Sequence, residues 1–231
     1  MLKFNSEQTE KYKKSTITGT GYLAFRDIEF FAKKNKADLK NVLDLGCGSG
    51  RSTSFLKKFC DEVNGCDINE KALENAKKNN PSSRFFLNNN ENFYQFSIYK
   101  SIFSILMFFH LSSEKEIKLE LLKCFNSLDE DGFLFIINGN KNLYTKNYAS
   151  VQGQGKVPNK DGDLTKIKLL NIDCEVEDYY WSADFIIKVA QSIGFIHMDI
   201  HMPLGVAQDP VDYKDEAVHP PYYYIALKKN G

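Results

Sequence analysis

The sequence predicts an α/β fold: a doubly wound, mostly parallel, seven-stranded sheet with helices on both faces. Three observations carry that expectation. Gly46, Gly48 and Gly50 follow a short apolar strand-like run, 42–45, and precede a helix-like segment. The next strand-like run, 62–66, is closed by an acid, Asp67. Strand and helix patterns then keep alternating to about residue 138, as parallel βαβ units require.

Each element has its own signal. Residues 5–14 read as a short polar helix capped by Asn5 or Ser6, and 16–21 as a Thr/Gly-rich break. Residues 22–36 read as an amphipathic helix with Leu23, Phe25, Ile28, Phe30 and Phe31. Strand 42–45, the glycine turn, helix 51–59 and strand 62–66 form the first unit. Right-handed crossovers bring the C-terminal ends of the parallel strands to one rim. Helix 69–78 presents Ala72, Leu73 and Ala76 on one face and is broken at Pro81. Residues 84–87 are the third strand and 101–106 the fourth. Ser113 and Glu116 make a capping-box pattern for a helix with Ile117, Leu121, Leu122 and Phe125 on one stripe. Residues 129–132 read as a turn and 133–137 as the fifth strand.

Beyond that strand the pattern weakens. Residues 138–163 are polar and irregular, and 164–180 alternate as β structure. The stretch 138–180 is therefore expected to be a small β/loop cap inserted after strand five. Ser182 caps a helix that turns Phe185, Ile186, Val189, Ala190 and Ile193 inward and ends at Gly194. Strands 195–202 and 222–228 complete the sheet, with the Pro-punctuated loop 203–221 between them. The reading is one domain over 1–231.

Composition narrows the function. The chain has 231 residues, 42% of them hydrophobic, with 30 basic and 30 acidic side chains. That balance argues against a nucleic-acid partner, since neither an arginine-rich stripe nor a basic tail is present. Five scattered cysteines without a Cys-x-x-Cys pair suit free thiols in a reducing compartment and argue against structural zinc. No apolar run is long enough to span a bilayer. The expectation is a cytoplasmic protein without a membrane partner. A homodimer is left open.

The motif Asp44-Leu45-Gly46-Cys47-Gly48-Ser49-Gly50, with Asp67 downstream, resembles the first motifs of the class I S-adenosylmethionine-dependent methyltransferases. The resemblance runs to about residue 138. It implies S-adenosyl-L-methionine as cofactor and methyl transfer to oxygen or nitrogen of a small molecule. It also implies that the last two strands form an antiparallel hairpin at a sheet edge. Gly46, Cys47, Gly48 and Gly50 would leave room for the methionine part and ribose. Asp44 would accept a hydrogen bond from the amino-acid end or fix the loop. Asp67, with Ile68 beside it, would hold the ribose hydroxyls. Asn89, with Asn90 next, matches the position that reads the adenine amino edge, where the family commonly has Asp. Backbone near Leu106 would approach the cofactor. In the family the N-terminal helices fold over the site, so residues 1–36 are expected to be a lid and Tyr12 a cofactor contact. His110 follows the fourth strand where many small-molecule members carry histidine, to orient the acceptor or take its proton. Lys100 stands where the family usually has an acid, at the far end of that strand.

Other readings stay in view. A methyltransferase acting on protein or tRNA, or a non-catalytic S-adenosylmethionine-binding protein, would share these motifs. A nicotinamide-dependent oxidoreductase would want glycine at position 51, which is Arg51. Tyr179, Tyr180 and Trp181 read as an aromatic wall or as core. His197 and His201 alternate on one strand and so are expected on one face. Without a third ligand they predict no metal. His219-Pro220-Pro221-Tyr222 resembles an element of enzymes that methylate amino groups on bases, but it opens the last strand here rather than following the fourth.

Overall fold

The computed structural model describes Gln8, Lys11 and residues 16–88 and 98–230. The main sheet has seven strands: β1 (Asn41–Leu45), β2 (Glu62–Asp67), β3 (Phe85–Leu87), β4 (Tyr99–Ile105), β5 (Leu128–Gly139), β9 (Phe195–His201) and β10 (Tyr222–Lys229). Their order is β3-β2-β1-β4-β5-β10-β9. Strands β1 to β5 pair in parallel, and β10 runs antiparallel to both β5 and β9. The order reverses between β1 and β4, which places a crevice at the C-terminal end of β1. Strands β6 (Val151–Gln154), β7 (Leu164–Leu169) and β8 (Cys174–Tyr179) form a separate antiparallel sheet in the insertion after β5.

Apolar residues pack on both faces of the main sheet. On one face Leu23, Ile28, Phe31 and Leu56 meet Phe103, Phe135 and Tyr224, and the small sheet joins through Ile167 and Val176. On the other, Leu43, Leu45 and Ile136 meet Ile117 and Leu121 from helix Glu114–Ser127 and Ile186 and Ala190 from helix Ala183–Ile193. All five cysteines are free and buried. No helix among the described residues is long and apolar enough to cross a membrane.

Several local expectations are corrected. The single helix over 22–36 is instead a 3-10 turn, Gly19–Ala24, and a helix, Ile28–Lys34. The break at Phe25–Asp27 resets the helical phase, so Phe30 is 66% exposed while Leu23, Ile28 and Phe31 are buried. Helix 51–59 stops earlier, at Arg51–Leu56. Strand β5 starts at Leu128, and the turn foreseen at 129–132 survives as a bulge inside it, with Asp131 at φ 63°. In helix Glu114–Ser127, Ser113 does accept from Glu116 N, but the Glu116 carboxylate turns to Ser112 N rather than to Ser113. Leu122 is 39% exposed there, while Glu120 and Lys123 are buried as an ion pair beside Asn88. Strand β6 escaped the sequence reading. It is short, and its Gly153 lies so close to the Tyr144 main chain that a Cβ would sit 2.6 Å from the Tyr144 carbonyl oxygen.

Candidate functional site

The chain leaves β1 through three left-handed glycines, with φ 78° at Gly46, 52° at Gly48 and 86° at Gly50. Gly46 N and Cys47 N donate to Cys66 O at 2.8 and 3.0 Å, which stitches the turn to β2. Two positions show why glycine is required. A Cβ on Gly50 would lie 2.6 Å from Asn80 Nδ2 and 3.0 Å from Ala76 Cα, so the turn packs directly on helix Glu70–Asn79. A Cβ on Gly48 would meet nothing within 4 Å. Bare main chain at Gly48 therefore borders open space, where a ligand can approach the backbone closely.

Asp67 ends β2 beside this turn. Its Oδ2 accepts from Gly48 N at 2.9 Å, and its Oδ1 accepts from Asn69 N at 2.9 Å. One carboxylate thus ties the glycine turn to the loop after β2. Asn69, not Asp67, caps helix Glu70–Asn79, through Ala72 N. Ile68 is half-buried between them.

Asp44 is fully buried. Its Oδ2 accepts from Ser52 Oγ at 2.7 Å and Thr53 Oγ1 at 2.6 Å, both at the start of helix Arg51–Leu56. This is the loop-fixing role. Its other oxygen, Oδ1, is buried and accepts no hydrogen bond. Burial pushes the carboxyl up to about 6, against the two hydroxyl bonds, with the Asp67 charge adding to the rise. The Cys47 side chain packs in a cluster with Leu73, Ala76 and Phe85, and its thiol donates to Gly48 O at 3.8 Å.

Strand β4 ends at Ile105, and Leu106 after it is a residue other than glycine held at φ 57°. The conformation is costly, and it is fixed by Leu106 N donating to Ile137 O at 2.8 Å. His110 follows in the 3-10 turn Phe108–His110. Burial lowers it to about 4, so the imidazole is neutral near pH 7.

Beside the rim lies a pocket of ≈ 420 Å³, mouth included. Thr16, Ile17, Thr18, Gly21 and Phe25 form its N-terminal wall. Arg51, Leu106 and Tyr222 form the wall from the main sheet's rim. Ser150, Val151, Leu169 and Asn171 close it from the insertion. The N-terminal segment is held in place by buried polar contacts. Thr20 Oγ1 donates to Glu216 Oε1 at 2.7 Å, and Thr20 N donates to Ser150 Oγ at 2.9 Å.

The structure brings Asp44, Gly46, Gly48, Gly50 and Asp67 together at the C-terminal ends of β1 and β2, and places Leu106 in the pocket wall. Tyr12, Asn89 and Asn90 lie outside the described residues. Sequence reasoning missed Arg51, Tyr222 and Ser150 as pocket walls. A Tyr that opens a strand and a Ser in an irregular loop carry no periodic signal. Trp181 is core: it stacks on Phe185, and its Nε1 donates to Leu111 O at 2.9 Å. The expected shared face of His197 and His201 is also corrected. A register shift in the pairing of β9 with β10 sets His197 opposite Leu227 and His201 opposite Tyr224. Leu227 and Tyr224 belong to cores on opposite faces, so the two histidines do as well. His201 instead meets Asp27 at 2.7 Å. Among the described residues no group of three His, Cys, Asp or Glu could hold a metal ion.

Comparison with known proteins agrees with this geometry. Residues 42–132 match the family described as a methyltransferase domain. No curated protein matches the chain. Among solved structures, the fold is similar to that of an S-adenosylmethionine-dependent methyltransferase from Clostridium acetobutylicum ATCC 824. It is 14% identical at TM-score 0.65, covering 95% of this chain and 94% of that one. The SAM-bound amino pentose methyltransferase CalS10 from Micromonospora echinaspora is 12% identical at TM-score 0.62, with 99% of each chain covered. The CcbJ methyltransferase from Streptomyces caelestis is 16% identical at TM-score 0.59, covering 90% and 96%.

Proposed function

From the premise that this chain has the class I S-adenosylmethionine-dependent methyltransferase fold, with a methyltransferase domain over residues 42–132, we propose that it transfers a methyl group from S-adenosyl-L-methionine to oxygen or nitrogen of a small molecule. One observation carries the reading: a backbone-lined turn open at Gly48, tied to the Asp67 carboxylate, at the point where strand order reverses. The residues present fit the cofactor. Gly48 offers a surface that no Cβ obstructs, Asp67 sets a carboxylate, the group that would accept from ribose hydroxyls, against that turn, and Asp44 Oδ1 is a buried acceptor in want of a donor.

When bound, the cofactor's sulfonium supplies an activated methyl group. What is left to the protein is alignment, exclusion of water and electrostatics. The glycine turn and Asp67 hold the adenosyl part. Leu106 and the pocket behind it accept the acceptor. The N-terminal segment and the insertion form its outer walls, as lid and cap. His110 is kept neutral by burial, which suits it to orient an acceptor hydroxyl or amine through a hydrogen bond more than to carry off a proton. A small acceptor is favoured because the pocket is enclosed by chain on three sides. It is also what one structural neighbour's name, an amino pentose methyltransferase, suggests.

The test is calorimetry followed by turnover. S-adenosylhomocysteine is expected to bind and NAD is not. Methyl-labelled S-adenosylmethionine is then offered with a panel of small hydroxy and amino compounds, and with protein and tRNA. Binding of NAD alone would reverse the assignment. Labelling of tRNA or protein alone would overturn the small-acceptor reading.

A further inference from the structure

We propose that the buried Glu120–Lys123 pair is a positioning device. It grips both ends of the Asn88 carboxamide, holds the end of β3 against β2, and so sets the Asp67 carboxylate at the glycine turn. The clamp itself needs no ligand. Its use, to hold a ribose, rests on the methyltransferase reading.

Asp67 stands at a weakly held place in the sheet. The β1–β2 ladder ends at Leu45 and Cys66, so the strand pairing of Asp67 is with Leu87 of β3. Strand β3 has three residues and stands at one end of the sheet order. So short an edge strand frays unless something beyond the ladder fixes it. Asn88 supplies that fixing. Its N donates to Asp67 O at 2.8 Å, one step past the last strand pair. Its Nδ2 donates to Glu120 Oε1 at 3.0 Å, and its Oδ1 accepts from Lys123 Nζ at 3.5 Å. An anion at the donor end of the amide and a cation at its acceptor end fix which way the carboxamide points.

The sequence brings the pair to this place. Glu120 and Lys123 are three residues apart on helix Glu114–Ser127, beside Ile117, Leu121 and Cys124 of its core stripe, so their stems are buried with that stripe. Glu120 Oε2 meets Lys123 Nζ at 3.3 Å. Stability does not account for two buried charges. Desolvation offsets most of their attraction, and apolar side chains of similar volume commonly do as well or better. What the pair provides and apolar residues do not is a directed grip on Asn88, 32 and 35 residues away in the chain. From Asn88 the path to the site is short. Its main chain bonds the Asp67 main chain, and the Asp67 carboxylate accepts from Gly48 N and Asn69 N, each at 2.9 Å.

The test uses three variants beside wild type. Asn88→Ala cuts the link and leaves the ion pair in place. Glu120→Leu/Lys123→Leu removes the pair. Glu120→Gln/Lys123→Met removes the charges and keeps an acceptor for Asn88 Nδ2, so it is the conservative rescue. Melts establish folding. Amide exchange is then followed by NMR on unliganded protein at Gly48, Asn69 and Asn88, with Leu106 N, which donates to Ile137 O, as the reference. Calorimetry compares S-adenosylhomocysteine with its 2′-deoxy analogue.

In Asn88→Ala, and in the Leu/Leu variant if it folds, exchange at Gly48 and Asn69 is expected to quicken about tenfold or more relative to Leu106. The Gln/Met variant stays near wild type. Wild type prefers S-adenosylhomocysteine to its 2′-deoxy analogue, and Asn88→Ala loses that preference. The proposal is overturned if folded Asn88→Ala keeps wild-type exchange at Gly48 and Asn69, or if exchange quickens equally at Leu106, as a merely structural role predicts. It is also overturned if the Gln/Met variant exchanges as fast as Asn88→Ala. Failure of wild type to bind S-adenosylhomocysteine would count against the methyltransferase reading instead, and amide exchange would still decide the clamp.

Discussion

Replacing Gly48 and Gly50 by alanine, one at a time, separates ligand binding from folding within a single turn. Both glycines are left-handed, at φ 52° and 86°, where any Cβ costs about 1 kcal/mol. For Gly48→Ala nothing further is lost, since the added methyl meets no atom within 4 Å. In a chain of this length that corresponds to roughly 2–4 °C in melting temperature. Gly50→Ala adds a collision with Asn80 Nδ2 at 2.6 Å and with the Ala76 main chain at 3.0 Å. Asn80 cannot simply swing aside, because its amide donates to Gly50 O at 2.9 Å and its oxygen accepts from Ser54 Oγ at 2.8 Å. Overpacking of this kind adds about 1–3 kcal/mol. The total of about 2–4 kcal/mol lowers the melting temperature by roughly 5–15 °C. Binding reverses the order. The Gly48→Ala methyl enters the space proposed for the cofactor and weakens S-adenosylhomocysteine by about tenfold or more, whereas folded Gly50→Ala is affected less. Thermal melts and calorimetry on the same samples read both quantities. A Gly48→Ala variant that binds like wild type, or that melts below Gly50→Ala, would refute the reasoning.

Further outcomes follow from the same geometry. Asp44 has a folded carboxyl near 6 against an ordinary 3.8, so the folded state holds its proton to higher pH and this contribution to stability falls as pH rises from about 4 to about 6. Asp178, pushed to about 6 by burial, has the same sign, so Asp44→Asn should flatten the decline without abolishing it in melts taken from pH 4 to 8. For His110, lowered to about 4, the pH dependence of kcat should show no limb from this residue near 6.5. Such a limb in wild type that vanishes in His110→Gln would contradict its burial. Trp181→Phe leaves the buried Leu111 carbonyl without its 2.9 Å indole donor, and should cost about 1–3 kcal/mol in denaturant unfolding with little effect on cofactor affinity. Asp67→Ala removes the acceptor that holds Gly48 N and should abolish measurable S-adenosylhomocysteine binding. Retained affinity would detach Asp67 from the site.

The strand–glycine–helix unit and the alternation that follows were legible because their signals are local. Val42, Leu43 and Leu45 are buried as a strand buried on both faces demands, and three glycines mark three left-handed residues. Asp67 was legible by its spacing from that unit. Glu120 and Lys123 were not: two charges three residues apart on a helix read as a solvated face, whereas in the fold they are buried and pair with each other and with Asn88. His197 and His201 failed for a related reason. A two-residue period holds only while the ladder is regular, and the shift opposite Ala226 and Leu227 reverses it.

What the amino-acid order decided alone was the sheet and the cradle. Periodicity, caps and glycine conformations act over a few residues and need no distant partner. The pocket was decided by the tertiary structure. Its walls come from the N-terminal segment, the ends of β4 and β10, and the insertion, elements up to about two hundred residues apart, from Thr16 to Tyr222. Packing and long-range polar contacts, Thr20 bonded to both Glu216 and Ser150 among them, bring them together. Long-range burial of this kind leaves no period in the chain. For that reason Arg51 reads in sequence as a departure from glycine and in space as the one cation among the described walls of the pocket.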